Sequence, residues 1–229
     1  MKIGFTGIEL PEGKIKYRDE TLIALEMKDN PKKVSPFYTE FIRDEYVHSD
    51  VIVIPRSMIL DLLILDIEKI EIRLNRLTEN ADKVVLDKCI KYLEKEIPLC
   101  DIELSNEEKK ILISAAPCSL KPVVMLKGSE DVNTIISLAL EKADQMFFYT
   151  SGPTESHAWL AKIGTSIINC AAKIHTDLAR GFIKGDVVSY DDYMSCHNFN
   201  DCRSKGLVRV TDRDYIVQPC EIVEIRFNV

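Results

Sequence analysis

The chain has 229 residues, 46% of them hydrophobic and 29% charged, which suffices for one large or two ordinary domains with a real core. That composition excludes a mainly disordered chain, and no run of some eighteen apolar residues offers a membrane span, so a soluble protein without membrane partners is expected. With 30 Lys and Arg against 37 Asp and Glu the net charge is -7, which argues against non-specific DNA or RNA binding; any RNA contact must be local.

The opening Lys2-Ile3-Gly4-Phe5-Thr6-Gly7-Ile8 reads as a short strand, followed by a loop carrying Gly7, Pro11 and Gly13, the way phosphate sites begin. Val51 to Ile54 and Pro122 to Leu126 are apolar without alternation, as strands covered on both faces are, so a small, mostly parallel sheet is expected. Between them the pattern turns helical. Leu63, Ile67, Ile70, Leu74 and Leu77 step by four and three, Thr78-Glu79-Asn80 interrupts, and Leu86, Ile90, Leu93 and Ile97 resume before Pro98. This predicts a helical hairpin over about 59–97.

Ser105-Asn106-Glu107-Glu108 is a capping box that starts a further short helix, and Asp131 to Gln145 is apolar at helical spacing through Ile135, Ile136, Leu138 and Leu140. From Met146 the texture changes to short β-rich runs: Phe147 to Thr150, Glu155 to Ala161, Asp214 to Val217 and Ile222 to Phe227. Glycines punctuate them, and one helix is predicted over Ser166 to Ala179. Seven cysteines, an odd number without close pairing, suit a reducing compartment. The N-terminus carries a single Lys and no long apolar core before a small-residue cleavage site, so export is not expected and a cytoplasmic location is.

Several of these segments resemble the C-terminal module of the YchF (Obg-like ATPase) family. They are Phe147-Phe148-Tyr149-Thr150-Ser151-Gly152, His157-Ala158-Trp159, Ile174-His175-Thr176-Asp177-Leu178-Ala179-Arg180-Gly181-Phe182-Ile183-Lys184, Ser189 to Tyr193, Asp214 to Gln218 and the terminal Arg226-Phe227-Asn228-Val229. Ser105 to Lys110 and Leu120-Lys121-Pro122 are similar to the same family further upstream. The resemblance implies an α/β N-terminal domain over 1–144, a truncated, degenerate P-loop GTPase-like parallel sheet with its helical hairpin. It further implies an α+β C-terminal domain over 145–229, a TGS-type β-grasp. Ribosome or RNA association is implied in the same way, and Glu40 to Arg43 falls where the family has a helix.

A phosphate loop G-x-x-x-x-G-K-[ST] needs its spacing to curl backbone amides around phosphates, its Lys for the outer phosphates and its hydroxyl for Mg²⁺. Here Gly7 and Gly13 are one position too far apart, Lys14 is followed by Ile15, and no D-x-x-G segment lies between the loop and Val51. The residual nucleotide candidates are Gly13 and Lys14 at a helix start, with Glu130 where the family has Asn-x-x-Glu and Lys127 in place of the Asn. ATP or GTP is the only ligand these residues suggest; no catalytic residue, resident cofactor or metal is assigned.

In the C-terminal module nine Lys and Arg face ten Asp and Glu. The candidate surface residues there are His175, Asp177, Arg180, Lys184, Lys205 and Arg209, either as a local phosphate-facing patch or as an ordinary solvated surface. His175 and Asp177 lack a neighbouring nucleophile, so a helix-end cluster is expected of them. Cys196-His197 with Cys202 is at most half of a metal site, since no second ligand pair is evident. Trp159 and Phe182 read as core aromatics. Three functions stay open: a binding or regulatory module of the translation apparatus, a residual nucleotide binder or slow ATPase/GTPase, and a regulator pairing with a full-length YchF through the hairpin. A sheet with an exposed edge also makes a homodimer possible.

Overall fold

A computed structural model describes residues 1–77 and 80–228. In chain order its elements are β1 (Lys2–Phe5), β2 (Gly13–Lys16), α1 (Glu20–Asp29), β3 (Lys33–Ser35), β4 (Tyr38–Arg43) and β5 (Val51–Pro55). The helices α2 (Ile59–Leu74), α3 (Asn80–Leu93) and α4 (Asn106–Ile113) lead to β6 (Val123–Leu126) and α5 (Val132–Lys142). There follow β7 (Gln145–Thr150), β8 (Glu155–Lys162), α6 (Ile167–Ile174), α7 (Thr176–Arg180), β9 (Phe182–Val188), α8 (Tyr190–Ser195), α9 (Phe199–Ser204), β10 (Arg209–Thr211) and β11 (Ile222–Phe227).

These elements make two compact units, Met1–Ile15 with Thr39–Ala143, and Lys16–Tyr38 with Asp144–Val229. The expected division into 1–144 and 145–229 therefore misses an excursion. Residues 16–38 leave the first unit and supply α1 and β3 to the second.

In the first unit the sheet order is β2-β4-β1-β5-β6, and the pairings of β1 with β4, β1 with β5 and β5 with β6 are all parallel. Val51 to Ile54 are buried on both faces, as their unbroken apolar run requires. Ile52 and Ile54 face a cluster with Ile59, Leu62, Leu63 and Ile70 of α2 and with Leu86, Cys89 and Leu93 of α3. α5 packs on β5 and β6 through Ile135, Ile136, Ala139 and Leu140. Each Ile or Leu side chain among them contributes about 1.5–3 kcal/mol when fully buried.

The hairpin is present, with helices at 59–74 and 80–93; Thr78 and Glu79 of the expected interruption lie outside the described residues. α2 buries one polar group among its apolar positions. Asp66, fully covered, accepts from the backbone N–H of Cys118 at 2.6 Å and Ser119 at 2.7 Å, which ties α2 to the turn before β6. The Ser105 capping box forms as expected, with the Glu108 side chain accepting from the Ser105 amide at 2.7 Å.

The second sheet runs β10-β9-β11-β7-β8-β3 and is mixed, with β7–β8, β9–β11 and β9–β10 antiparallel and β11–β7 and β3–β8 parallel. Neighbouring residues along its strands point to opposite faces. Tyr149, Val188 and Ile222 meet Leu22 and Leu25 of α1 with Tyr193, Phe199 and Cys202; Phe148, Val187 and Val223 meet Ile167, Cys170 and Ala171 of α6. Gly185 is required here, because a Cβ would come within 2.0 Å of the Ile167 Cδ1 atom.

Four expectations are corrected. Gly13 and Lys14 do not open a helix but begin β2. Glu40 to Arg43 is strand β4, placed beside β1 because Phe41 is buried and its backbone completes the β1 ladder. The single helix over 166–179 is two, broken at His175, whose extended φ of -162° cannot continue a helix. Asp214 to Val217 is a turn with one isolated bridge, Ile216 to Ser166, rather than a full strand. Among the described residues no helix is long and apolar enough to cross a membrane.

Leu25 is fully buried in the second unit, so Leu25→Ala is expected to cost about 2–5 kcal/mol in urea unfolding. Hydrogen exchange should place the lost protection in β7 and α8; loss concentrated in β1 and β5 would contradict the assignment of residues 16–38 to the second unit.

Candidate functional site

In a parallel α/β sheet, ligands bind beyond the carboxyl ends of the strands, so the loops after β1, β4, β5 and β6 are where a nucleotide would be held. β1 turns at Gly7, whose φ of 69° suits glycine and whose missing Cβ leaves room for Met58; a Cβ would lie 2.1 Å from the Met58 sulfur. Residues 6–12 then lead into β2. A phosphate cradle needs a helix to start here, because its first free amides and dipole bind the anion. Instead, Arg43 at the end of β4 donates from Nε to Glu12 at 2.9 Å and from Nη2 to Glu9 at 3.5 Å, while the Thr6 hydroxyl donates to Asp44 at 2.5 Å. The Arg43 cation is thus engaged by the loop's own carboxylates.

Gly13 has φ 90° with open space where a Cβ would sit, and Lys14 is exposed on β2. Glu130 follows β6. β2 and β6 are opposite edges of a five-stranded sheet, so four strand spacings, about 19 Å, separate them. The three nucleotide candidates are not brought together.

The Glu130 carboxylate accepts from the backbone N–H groups of Lys127 at 3.0 Å, Gly128 at 2.9 Å and Ser129 at 3.0 Å, a turn that Gly128 permits with φ 99°. These amides, that of Lys127 foremost, hold its carboxyl below the ordinary range. The residue organises its own loop, and Asp131 beside it caps α5 by accepting from the Thr134 amide at 2.7 Å.

In the second unit, His175 caps α7, its Nδ1 accepting from the Asp177 amide at 3.2 Å, and Asp177 pairs with Arg180 at 3.0 Å. The helix-end cluster expected of this spacing is what forms. Lys184 pairs with Asp212, Lys205 with Asp201 at 2.9 Å, and Arg209 with buried Glu221 at 2.5 Å. Each of the four candidate cations thus meets a carboxylate of its own unit.

Trp159 is half-buried, stacked on His157 with ring centroids 3.6 Å apart and donating from Nε1 to the Thr150 hydroxyl at 3.0 Å; Phe182 is core. Cys196 and Cys202 are buried in the α1-facing cluster, and burial pushes the Cys202 thiol well above its ordinary value. No group of three metal-ligating side chains is assembled among the described residues.

Sequence reasoning missed two groupings. Asp186, fully buried, is faced by Arg203 at 2.8 Å and Arg226 at 2.8 Å. Lys28 and Asp29, at the end of α1, are almost covered and take hydroxyl and carbonyl partners from the β7–β8 turn and from the α8–α9 turn. The only signal was an adjacent Lys and Asp closing a helix whose existence went unread.

The fold and these sites define a two-sheet α/β protein, parallel in one unit and mixed in the other, in which most candidate charges are spent on internal pairs. The family described as YchF-GTPase_C, protein of unknown function (DUF933), matches residues 146–228. The chain is 31% identical over 159 residues to "Ribosome-binding ATPase YchF" of Haemophilus ducreyi, covering 69% of this chain and 39% of that protein. It is 29% identical over 151 residues to the Bacillus subtilis protein of that name, covering 66% and 37%, and 35% identical over 127 residues to "Obg-like ATPase 1" of Rattus norvegicus, covering 55% and 29%. It therefore spans well under half the length of these relatives. The "Structure of the Schizosaccharomyces pombe YchF GTPase" superposes with a TM-score of 0.76 at 17% identity, over 96% of this chain and 88% of that one, a likeness of fold. The chain belongs to the YchF family.

The Glu130 geometry carries a pH dependence. A lowered carboxyl contributes loop order that is fully present above the ordinary glutamate value of about 4.3 and is lost as pH falls through the lower folded value. Amide resonances of Lys127, Gly128 and Ser129 should shift together below that point and stay fixed from pH 5 to 7, and Glu130→Gln should abolish the transition. Titration of the three amides unchanged by Glu130→Gln would sink this reading.

Proposed function

We propose that this chain is a non-hydrolysing, cytoplasmic YchF-family protein that works by binding, docking on the ribosome or its RNA through the β-grasp (TGS-type) unit formed around residues 145–229. The observation that carries the first half is the path of residues 6–12 into β2, with Arg43 held by Glu9 and Glu12. Phosphoryl transfer relies almost wholly on positioning and electrostatics, and a phosphate entering here would meet carboxylates and no helix N-terminus. The second half is supported by the relatives' name, ribosome-binding ATPase, and by the match to the family's C-terminal region at 146–228.

A second reading has one observation in its favour. Leu60, Ile64, Leu65 and Ile72 of α2 are each roughly half exposed. That apolar stripe supports pairing of the hairpin with another YchF-family chain, and co-purification with a full-length relative that survives in the wild type but not in Ile64→Lys would establish it.

Calorimetric titration with ATP and GTP, with and without Mg²⁺, is expected to give no saturable heat of micromolar affinity, while the protein co-sediments with ribosomal fractions. Arg180→Ala with Lys184→Ala should raise the apparent Kd for ribosomes about tenfold, a loss of about 1.4 kcal/mol. Micromolar nucleotide binding with Mg²⁺-dependent hydrolysis would overturn the non-hydrolysing reading, and absence from ribosomal fractions would overturn the docking one.

A further inference from the structure

The second unit holds an open cavity of about 370 Å³ whose walls come from the end of α1, the β7–β8 turn, α8, the α8–α9 turn and β11. At its wall lies Lys28, with a side chain only 10% exposed. Its ammonium donates to the His197 carbonyl at 2.9 Å, sits 3.3 Å from an Asp29 oxygen and lies 4.3 Å above the Tyr193 ring. Two oxygens and the Tyr193 ring face thus surround its three N–H donors, and its positive charge stands at the cavity wall. The Asp29 carboxylate is consumed within the wall, accepting from the Ser151 hydroxyl at 2.6 Å and the Tyr193 hydroxyl at 2.7 Å. Glu224, the other carboxylate there, is answered by Arg203 at 2.5 Å.

Two amides complete the site. The side-chain oxygen of Asn198 accepts from the Asp201 amide at 3.0 Å, and that of Asn200 accepts from Arg203 Nη1 at 2.7 Å. Pinning each oxygen fixes the amide's orientation and leaves both NH₂ groups as donors without a partner among the described residues. These two amide groups are donors that no described residue meets, beside a nearly buried ammonium.

We propose that this cavity binds a small oxyanion, the carboxylate or phosphate group of a small molecule, held by Lys28, Asn198 and Asn200. The proposal does not depend on ribosome docking or on the nucleotide reading.

Calorimetric titration with inorganic phosphate, ribose 5-phosphate and acetate, at constant ionic strength, tests it. Asn198→Asp with Asn200→Asp replaces both donors by acceptors while keeping the α9 cap and the acceptor for Arg203. Saturable binding of at least one probe to the native protein at millimolar or lower concentration is expected, weakened at least tenfold in the double variant, whose melting temperature without ligand should match the native one. Binding of both phosphates but not acetate assigns a phosphate site, acetate alone a carboxylate site, and ribose 5-phosphate alone a sugar-phosphate site. If the double variant melts early, Asn200→Asp alone, at an exposed position, repeats the comparison. No saturable heat from any probe, or equal binding by native protein and variant, would overturn the proposal.

Discussion

The hydroxyl of Tyr149 donates to the carboxylate of Asp19 at 2.8 Å, across 130 residues of sequence, and the organisation of the second unit hangs on that contact. Both groups are buried, Asp19 6% and Tyr149 2% exposed. Burial pushes the Asp19 carboxyl up, against the opposing pull of the Tyr149 hydroxyl and of the Leu22 and Thr21 amides that it caps. Burial likewise pushes the Tyr149 hydroxyl up and keeps it a donor. Neither group is tolerable there alone, since an unmatched buried hydroxyl or amide costs about 1–3 kcal/mol and a charge more. Met, they fix the start of α1 on the sheet. Leu22 and Leu25 then fall into the apolar cluster, and β3 reaches β8 in register, Lys33 opposite Glu155. A C-terminal segment defined by sequence position alone would lack this cover.

The same accounting of charge separates what the first unit's strand ends can do from what a phosphate loop does. An anion site works by leaving donors unmet until the ligand arrives. Beside the loop after β1 the Arg43 guanidinium, and after β6 three backbone amides, have been met in advance. Arg43 is spent on Glu9 and Glu12, and the three amides after β6 are spent on Glu130. A carboxylate within the loop competes with any external phosphate at a local concentration that no free ligand matches, so the loop is ordered at the expense of its anion affinity.

Long periodic elements were legible in the sequence. The hairpin, the helix capped by Ser105, the helix after Asp131 and the apolar strands at 51–54 and 122–126 all declare themselves by spacing, and the motifs from Phe147 onward placed the family. What stayed illegible has a common cause. α1 offers only Leu22 and Leu25 as buried positions, and its partner Tyr149 is far along the chain, so no local pattern reveals its destination. The family position suggests a helix at Glu40 to Arg43, whereas the pairing of Lys2 with Glu40 and Phe5 with Arg43 that makes it β4 is a non-local fact. The C-terminal cations were countable but not their partners. His175 and Asp177 were readable because capping works over two or three residues.

Asp186 shows how such a non-local pairing can set a site that it does not touch. It is fully buried on β9, where a lone carboxylate would be prohibitive, and two guanidiniums answer it: Arg226 from β11 and Arg203 from α9. Two positive charges on one negative would be unbalanced, and Glu224 restores neutrality through Arg203. Arg226 alone could answer Asp186, so the added contact of Arg203 with Asp186 and Glu224 serves to tie the short α9 to β9 and β11 of the sheet. Arg203 also lies over the Phe199 ring at 4.9 Å and fixes Asn200 by its side-chain oxygen. The orientation of the α8–α9 turn is thereby decided on the sheet rather than at the cavity rim. A donor set held this way is preorganised, and a ligand entering it would not have to bear the entropy of ordering the turn.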